Sequence, residues 1–244
     1  MPKSAEGLKI PEIRFKLRKD GAWAELSSAE LFDAQKVVLF GLPGAFTPTC
    51  SSAHLPRFEE LAPSFQQHGI DRIVCVSVND AFVMEAWARE QRIEQVLMLP
   101  DGNGELSAAL GMLVDKSELG FGQRSWRYSA LVENGVVSKM FVEPEVEGDP
   151  FTVSDADTML SHIAPGAAKP LFFTFFSRLG CPHCARARQA LESRGYAYEE
   201  LVLGRDASVR AMRAVSGGQT TPQVFLEGRR IGTADELEAF LQGL

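Results

Sequence analysis

One seven-residue segment divides this sequence and limits the folds open to it. Residues 164–170 (Ala-Pro-Gly-Ala-Ala-Lys-Pro) include no bulky apolar side chain. Such a composition interrupts secondary structure and is typical of a short linker between domains. A chain of 244 residues is also long enough for two domains. We therefore predict a first domain over residues 1–163, a linker over 164–170 and a second domain over 171–244.

Strand-like and helix-like patterns alternate on both sides of this linker, which predicts α/β architecture. Before the linker, predicted strands cover residues 36–42, 71–78, 96–99, 125–133 and 135–142, with a hairpin turn at Asn134-Gly135 between the last two. Predicted helices cover 48–68, which Pro56 and Pro63 should kink or interrupt, 81–91, and 154–163, for which Ser154 is the predicted N-cap. After the linker, the order strand, helix, strand, helix, strand, strand, helix is that of a minimal thioredoxin-like domain. The predicted fold class is α/β, with two thioredoxin-like domains in tandem, each a central mixed sheet flanked by helices.

The charge of the chain narrows the choice of partners. A net charge of −7 argues against nucleic acid, because duplex binding needs a basic face. Residues 1–165 carry 15 basic and 24 acidic side chains, whereas residues 166–244 carry 10 and 8. An acidic unit tethered to a slightly basic one can be steered onto it electrostatically. The alternative is that two unrelated surfaces simply differ in composition.

Hydropathy gives no sign of a membrane segment. The longest apolar run, residues 171–176, has the length of a strand and falls far short of the ~20 residues of a membrane span. The N-terminal residues 1–7 lack the apolar region of a secretory signal. We therefore expect no membrane partner and a cytoplasmic location.

Cysteine usage indicates redox chemistry. Cys181 and Cys184 form a Cys-x-x-Cys motif between a predicted strand and a predicted helix, which is typical of thiol–disulfide exchange. The helix N-terminus stabilises a thiolate on Cys181, and Cys184 lies one turn further, where it can attack a mixed disulfide on Cys181. Half of a zinc or iron–sulfur site is the alternative, and it is disfavoured because the sequence has no second Cys-x-x-Cys. We expect no metal.

Thr221-Pro222 is the second feature of this region. Proline cannot donate to a central strand ladder, so Pro222 is expected at a strand start. A cis bond there would set the preceding backbone beside the thiols. With the motifs of residues 181–184 (Cys-Pro-His-Cys), 220–222 (Thr-Thr-Pro) and 232–235 (Gly-Thr-Ala-Asp), residues 170–244 resemble a glutaredoxin.

This resemblance implies a set of glutathione contacts. Arg178 would meet a glutathione carboxylate, and the Thr221 backbone beside Pro222 would pair with the cysteinyl unit. The Ala234 backbone and Asp235 would hold the γ-glutamyl end. Thr221 stands where valine is common in that family.

Cys50 stands alone at the start of another predicted helix. It follows a predicted strand, so the same helix-terminus effect lowers its expected pKa, but it has no Cys-x-x-Cys partner. The absence of a partner cysteine favours attack by Cys50 on an electrophile such as a peroxide over disulfide exchange. Thr47, three residues earlier, can hydrogen-bond both the thiolate and a peroxide oxygen. A single cysteine at a helix start can also be purely structural.

The sequence around Cys50 resembles the type-5 peroxiredoxin signature. The resemblance covers residues 41–56 without a gap, includes the spacing of Pro43, Thr47 and Cys50, and extends over nearly all of residues 8–163. It implies that Arg127 stabilises the thiolate and polarises the peroxide. Val153 occupies the position at which some relatives carry a resolving cysteine, so a one-cysteine peroxidase needing an outside thiol is implied.

Two further residues near Cys50 are expected to be structural. Cys75 is flanked by apolar residues within a predicted strand, which is typical of a small core residue, with a resolving role as the alternative. His54 lies one turn after Cys50 and can tune its thiolate, but a core or interface position is the simpler interpretation.

Together these features predict a glutathione-dependent thiol peroxidase. Cys50 would reduce hydrogen peroxide and alkyl hydroperoxides, and glutathione with Cys181 would recycle the sulfenic acid. No bound cofactor is expected, and glutathione would be the reducing cosubstrate. The expected assembly is a homo-oligomer, dimer or tetramer, with contacts between the peroxidase and glutaredoxin domains.

Two alternatives stay open from the sequence. One is a general thiol–disulfide or deglutathionylating reductase whose first domain only docks substrates. The other is a redox-sensing or holdase protein whose thiol state alters its assembly. Cys50, Thr47 and Arg127 together favour the peroxidase, because neither alternative needs a peroxide pocket. The preferred peroxide and the part played by Cys184 are left open.

Overall fold

The protein is described by a computed structural model that covers residues 3–19, 21–146, 148–167 and 170–244. The chain divides into two compact units, with the boundary between residues 168 and 169. Those two residues of the predicted linker lie outside the described part. Ala167, also in the predicted linker, packs against the core of the first unit. No helix within the described ranges is long and apolar enough to cross a membrane.

The first unit is built around a five-stranded mixed sheet. Its elements are β1 Arg14–Lys19, β2 Ala22–Ser27, α1 Ser28–Phe32, β3 Lys36–Gly41, α2 Leu55–Glu60, α3 Ala62–Gln67, β4 Arg72–Ser77, α4 Ala81–Glu90, β5 Val96–Pro100, α5 Glu105–Ala109, β6 Leu113–Asp115, β7 Gln123–Ser125, β8 Tyr128–Glu133, β9 Val136–Val142 and α6 Ala156–Ile163. The sheet order is β5-β4-β3-β8-β9. β3, β4 and β5 run parallel, whereas β8 is antiparallel to β3 and β9 is antiparallel to β8.

The side chains of β3 alternate between the two faces of the sheet, and this explains why the unit has a hydrophobic core on each face. Successive side chains of a strand point to opposite faces, and both faces of β3 are buried. Val37 and Leu39 enter a core shared with α1 and α5. Val38 and Phe40 enter a second core shared with α2, α3, α4 and α6. Helices therefore cover both faces of the sheet, as predicted.

The hairpin between β8 and β9 confirms a prediction made from two residues. Asn134 has a φ of 49° and Gly135 a φ of 75°. Positive φ at both central positions is the requirement of a two-residue type I′ turn, which asparagine and glycine meet at low cost.

Other elements of the first unit differ from the prediction. The antiparallel hairpin of β1 and β2 was not predicted, because β2 is largely exposed and shows no alternating apolar pattern. The strand predicted over residues 125–133 is split into β7 and β8. Ser154 does not cap α6; Asp155 does, accepting a hydrogen bond from the Thr158 N–H at 2.9 Å.

The second unit is a smaller mixed sheet with helices. Its elements are β10 Phe172–Ser177, α7 Pro182–Glu192, β11 Ala197–Val202, α8 Val209–Ser216, β12 Gln223–Leu226, β13 Arg229–Gly232 and α9 Ala234–Gln242. The order is β11-β10-β12-β13, with β10 and β11 parallel and the remaining pairs antiparallel. α7 and α9 pack their apolar residues onto β10 and β12. The predicted element order is confirmed.

Candidate active site

The chain around Cys50 forms an irregular helix start directly after β3. The helix begins at Pro48, and residues 50–54 form a π-helical turn in which the Leu55 N–H donates to the Cys50 carbonyl. Pro56 has no N–H to continue a regular ladder, and π turns are frequent at functional sites. Cys50 is fully buried in the core below this helix. The predicted helix with a proline interruption is therefore present, and it carries the sulfur in its first turns.

Arg127 lies in the two-residue gap between β7 and β8, not on a strand as predicted. The next residue, Tyr128, pairs with Gly41 at the end of β3. This register sets Arg127 just beyond the end of β3, where the Cys50 helix begins. Its side chain is only 2% exposed.

The Arg127 guanidinium has two polar neighbours and one aromatic neighbour. Its Nη1 lies 3.1 Å from His54 Nδ1, and its Nη2 lies 2.6 Å from both carboxylate oxygens of Asp149. The phenyl ring of Phe151 faces Cζ at 5.6 Å. Burial would lower the pKa of Arg127, but the charge of Cys50 and the Asp149 carboxylate outweigh it and raise that pKa. The structure thus brings Cys50 and Arg127 together, as the resemblance implied.

The hydrogen bonds of His54 fix its tautomer. Its Nε2 lies 3.1 Å from the Ser154 carbonyl oxygen, which only accepts, so Nε2 carries the proton. Nδ1 is then an acceptor for the Arg127 N–H. Burial, aided by the charge of Arg127, lowers the pKa of His54 to about 3. His54 is therefore neutral at physiological pH and orients Arg127, a role that the sequence interpretation missed.

The hydroxyl of Thr47 donates its hydrogen bond to a different partner from the predicted thiolate. Its hydroxyl donates to the Gly44 carbonyl at 2.8 Å, so the hydroxyl proton is engaged within the loop. The lone pairs of Oγ1 stay able to accept a hydrogen bond. The Thr47 carbonyl accepts from the Ser51 N–H at 3.0 Å and so begins the helix that carries Cys50. Its predicted contact with a peroxide stays a prediction.

Glu143 at the end of β9 organises the loop that surrounds Arg127. One carboxylate oxygen accepts the N–H groups of residues 152, 153 and 154 at 2.8 Å each, and both oxygens accept threonine or serine hydroxyls. Burial would raise the pKa of Glu143, but these donors outweigh it and lower that pKa to about 2. This use of Ser154 explains why it does not cap α6. We call residues 148–154 the 148–154 loop.

Cys75 lies on β4 between Phe40 and Met98 of the neighbouring strands. It is fully buried, and burial together with the charge of Cys50 raises the pKa of its thiol well above the usual range. Its surroundings agree with the expected core position.

In the second unit, Cys181 caps the N-terminus of α7. Its sulfur accepts the Cys184 N–H at 3.3 Å and lies 2.7 Å from the Cys184 sulfur. The Thr221 hydroxyl lies 3.6 Å away, and the Thr221-Pro222 bond is cis, as proposed from the sequence. Burial would raise the pKa of Cys181, but hydrogen bonds from Cys184 and Thr221 outweigh it and lower that pKa.

The thiol of Cys184 has the opposite character. It is buried, and burial followed by its hydrogen bond to Cys181 raises its pKa. Cys181 is therefore the thiol that ionises first, and Cys184 donates to it. The predicted attack of Cys184 on a mixed disulfide at Cys181 stays a prediction.

The residues expected to bind glutathione take separate positions around α7 and α9. Arg178 lines a cavity of about 260 Å³ together with Cys181 and the Arg188–Glu200 ion pair. Ala234 is buried and begins α9. Asp235 lies in the first turn of α9, where it forms an ion pair with Arg186.

Comparison with known proteins matches each of the two units to a protein family. The Redoxin family model matches residues 5–160, and the Glutaredoxin family model matches residues 173–231. Hybrid peroxiredoxin hyPrx5 of Haemophilus influenzae is 53% identical over 237 residues, covering 97% of this chain and 98% of that protein. Peroxiredoxin sll1621 of Synechocystis is 50% identical, covering 67% of this chain and 95% of its own.

A solved structure agrees with these matches. Reduced Prx3 of Vibrio vulnificus in complex with hydrogen peroxide is 43% identical to this chain, with a TM-score of 0.61 over 65% of this chain and 98% of that one. The fold and the matches define a thiol peroxidase, an oxidoreductase of two thioredoxin-fold domains in tandem. The chain belongs to the peroxiredoxin family and carries a glutaredoxin domain after its peroxiredoxin domain.

The Glu143 contacts predict acid sensitivity of the first unit. Because the folded-state pKa of about 2 lies below the ordinary value of 4.5, this carboxylate contributes stability above pH 4.5 that is lost as the pH falls towards 2. Glu143→Gln should lower the free energy of unfolding at pH 6 by about 2 kcal/mol or more and flatten its decline between pH 5 and 3.

Urea unfolding followed by tryptophan fluorescence measures this effect, because all three tryptophans precede residue 165. Glu145→Gln, at an exposed carboxylate two residues away, is the matched control and should change little. An unaltered pH profile in Glu143→Gln would contradict the assignment.

The short sulfur–sulfur contact predicts how Cys184 affects Cys181. In a Cys50→Ser, Cys75→Ser background, Cys184→Ser keeps a hydroxyl donor and should leave the pKa of Cys181 low. Cys184→Ala removes the donor and should raise that pKa by about one unit, since a donor to a charged group contributes roughly 1.5 kcal/mol or more. Thiolate absorbance at 240 nm against pH measures both, and equal pKa values in the two variants would rule out this donor.

Proposed function

We propose that this protein is a glutathione-dependent peroxidase that reduces hydrogen peroxide and alkyl hydroperoxides at Cys50. The observation that carries the proposal is the buried pair of Cys50 and Arg127. The Arg127 Nε is buried without a hydrogen-bond partner among the described residues. A buried donor beside a nucleophilic sulfur is suited to a small polar substrate, since buried polar groups are ordinarily paired.

The first step would be attack of the Cys50 thiolate on one peroxide oxygen. A sulfur–oxygen bond forms, the oxygen–oxygen bond breaks, and the departing oxygen takes a proton to leave as water or alcohol. Arg127 would stabilise the negative charge that develops on the peroxide oxygens, since fixed donors in a buried site act strongly on such charge. Cys50 is left as a sulfenic acid, and Thr47 would accept a hydrogen bond from the bound peroxide.

Glutathione would then return Cys50 to its thiolate. One glutathione condenses with the sulfenic acid, which forms a mixed disulfide and releases water. The Cys181 thiolate attacks the glutathionyl sulfur and frees Cys50, and a second glutathione then frees Cys181 as oxidised glutathione leaves. The lowered pKa of Cys181 supports this role because it raises the thiolate fraction at neutral pH. The cycle needs no bound cofactor.

Glutathione binding is proposed at Arg178, at the Thr221 backbone beside Pro222, and at Ala234 with Asp235. Arg178 would pair with a carboxylate of the tripeptide. Asp235 would hold the α-amino group at the γ-glutamyl end, which requires it to share its ion pair with Arg186.

Assembly as a homo-oligomer, a dimer or a tetramer, completes the proposal. Peroxiredoxins are typically oligomeric, and the first unit exposes the large apolar side chains of Phe46, Phe82 and Leu119. Contacts between a peroxidase domain and a glutaredoxin domain, within a chain or between subunits, would raise the effective concentration of Cys181 at Cys50.

The thiol variants test the cycle. With glutathione, glutathione reductase and NADPH, loss of NADPH absorbance reports peroxide turnover. Cys50→Ser should abolish turnover, Cys181→Ser should remove most of it, and Cys184→Ser should leave much of it. Cys75→Ser is the matched control at a buried cysteine outside the proposed cycle and should keep turnover.

Two results would overturn parts of this proposal. Peroxide turnover that survives in Cys50→Ser would favour a general reductase with a docking first domain. Full turnover in Cys181→Ser would show that glutathione alone reduces the first domain.

A further inference from the structure

Asp149 is the solvent-accessible member of the polar cluster around Arg127. Its side chain is 43% exposed, whereas Arg127 is 2% exposed and both Cys50 and His54 are fully buried. Both oxygens of its carboxylate lie 2.6 Å from Arg127 Nη2. The carboxylate therefore lies on the solvent-accessible side of the guanidinium, whereas the Cys50 sulfur is buried.

Ionisable groups around the guanidinium give the cluster an excess of negative charge. Arg127 supplies one positive charge, and Asp149 already balances it. Glu143 behind the 148–154 loop adds a negative charge, because its pKa of about 2 keeps it ionised, and His54 adds none because its pKa is about 3. A thiolate on Cys50 adds a further negative charge.

A buried arginine without such a partner would attract anions. Guanidinium groups bind carboxylates through charge-assisted hydrogen bonds, and Arg127 Nη2 lies within hydrogen-bond distance of both Asp149 oxygens. A substrate carrying its own carboxylate would have to displace Asp149 or place its charge close to it. A neutral hydroperoxide meets neither obstacle.

We propose that Asp149 is a specificity-determining residue that favours neutral hydroperoxides over hydroperoxides carrying a carboxylate. It does so by keeping a negative charge on the solvent-accessible side of the guanidinium at which an anionic substrate would bind. The inference rests on the proposed function, because it concerns the peroxide that reaches Cys50.

The expected size follows from like-charge repulsion in a partly buried site. We take the Asp149 carboxylate and the substrate carboxylate to lie roughly 7 Å apart at an effective dielectric constant of about 20. Their repulsion, with Arg127 no longer free to bind an anion, should reduce the rate of Cys50 oxidation by the anionic hydroperoxide about tenfold or more. Charged groups near a binding site raise or lower the association rate of charged ligands according to the sign of their charge.

The test uses two substrates of nearly equal shape. One is cumene hydroperoxide carrying a para-carboxylate, and the other is the methyl ester of the same compound. Full-length reduced protein is mixed with each peroxide without glutathione, and Cys50 sulfenic acid is trapped and quantified by mass spectrometry. The ratio of the second-order rate constants, acid over ester, is compared between variants, so that any change in Cys50 ionisation cancels.

Three variants separate charge from other effects. Asp149→Asn keeps the shape of the side chain and should raise the acid-to-ester ratio about tenfold or more. Asp149→Glu keeps the charge and should stay within twofold of the wild type. Glu90→Gln, at an exposed position on α4, changes the net charge by the same amount and should also stay within twofold.

Each outcome decides the question. An unchanged ratio in Asp149→Asn, or an equal rise in Glu90→Gln, would overturn the inference while leaving the peroxidase proposal intact. Failure of the wild type to form Cys50 sulfenic acid with either compound would instead overturn the proposed function and the inference with it.

Discussion

The buried guanidinium of Arg127 is the constraint on which the first domain depends. A charged group removed from water must keep its hydrogen bonds and a counter-charge. Here the acceptors come from His54 on the Cys50 helix and from Asp149 on the 148–154 loop. Glu143 fixes that loop, and Ser154 of the loop fixes the tautomer of His54. The groups that satisfy the arginine therefore also fix the surroundings of the Cys50 sulfur.

Both domains carry a cysteine near the start of a helix, but the surroundings of the two sulfurs differ. Cys50 is enclosed and lies beside a cation, which suits attack on a small neutral oxidant. Cys181 is partly exposed at the start of α7 and has a second thiol 2.7 Å away, which suits exchange with a disulfide brought from outside. In the proposed cycle, the mixed disulfide formed on the first domain would be the substrate of the second.

Local patterns predicted much of this structure. The fold class, the order of elements in the second domain, the Asn134-Gly135 turn and the pairing of Cys50 with Arg127 followed from short motifs or from the resemblance. The contribution of His54, Asp149 and Glu143 could not be predicted, because it arises from contacts between distant parts of the chain. Arg127 and His54 are 73 residues apart, and His54 and Ser154 are 100 apart. The break before Tyr128 was hidden because the flanking residues read as one continuous strand.

The most direct test of the account is the rate at which hydrogen peroxide oxidises Cys50 when Arg127 is changed. The second-order rate constant of reduced wild type is compared with that of Arg127→Gln, and alkylation of Cys50 by iodoacetamide is measured in parallel at a pH where the thiol is ionised. The account predicts a fall of about 100-fold or more in the peroxide rate, as expected for loss of a donor to developing charge, with a much smaller change in alkylation. A peroxide rate equal to that of wild type would contradict it.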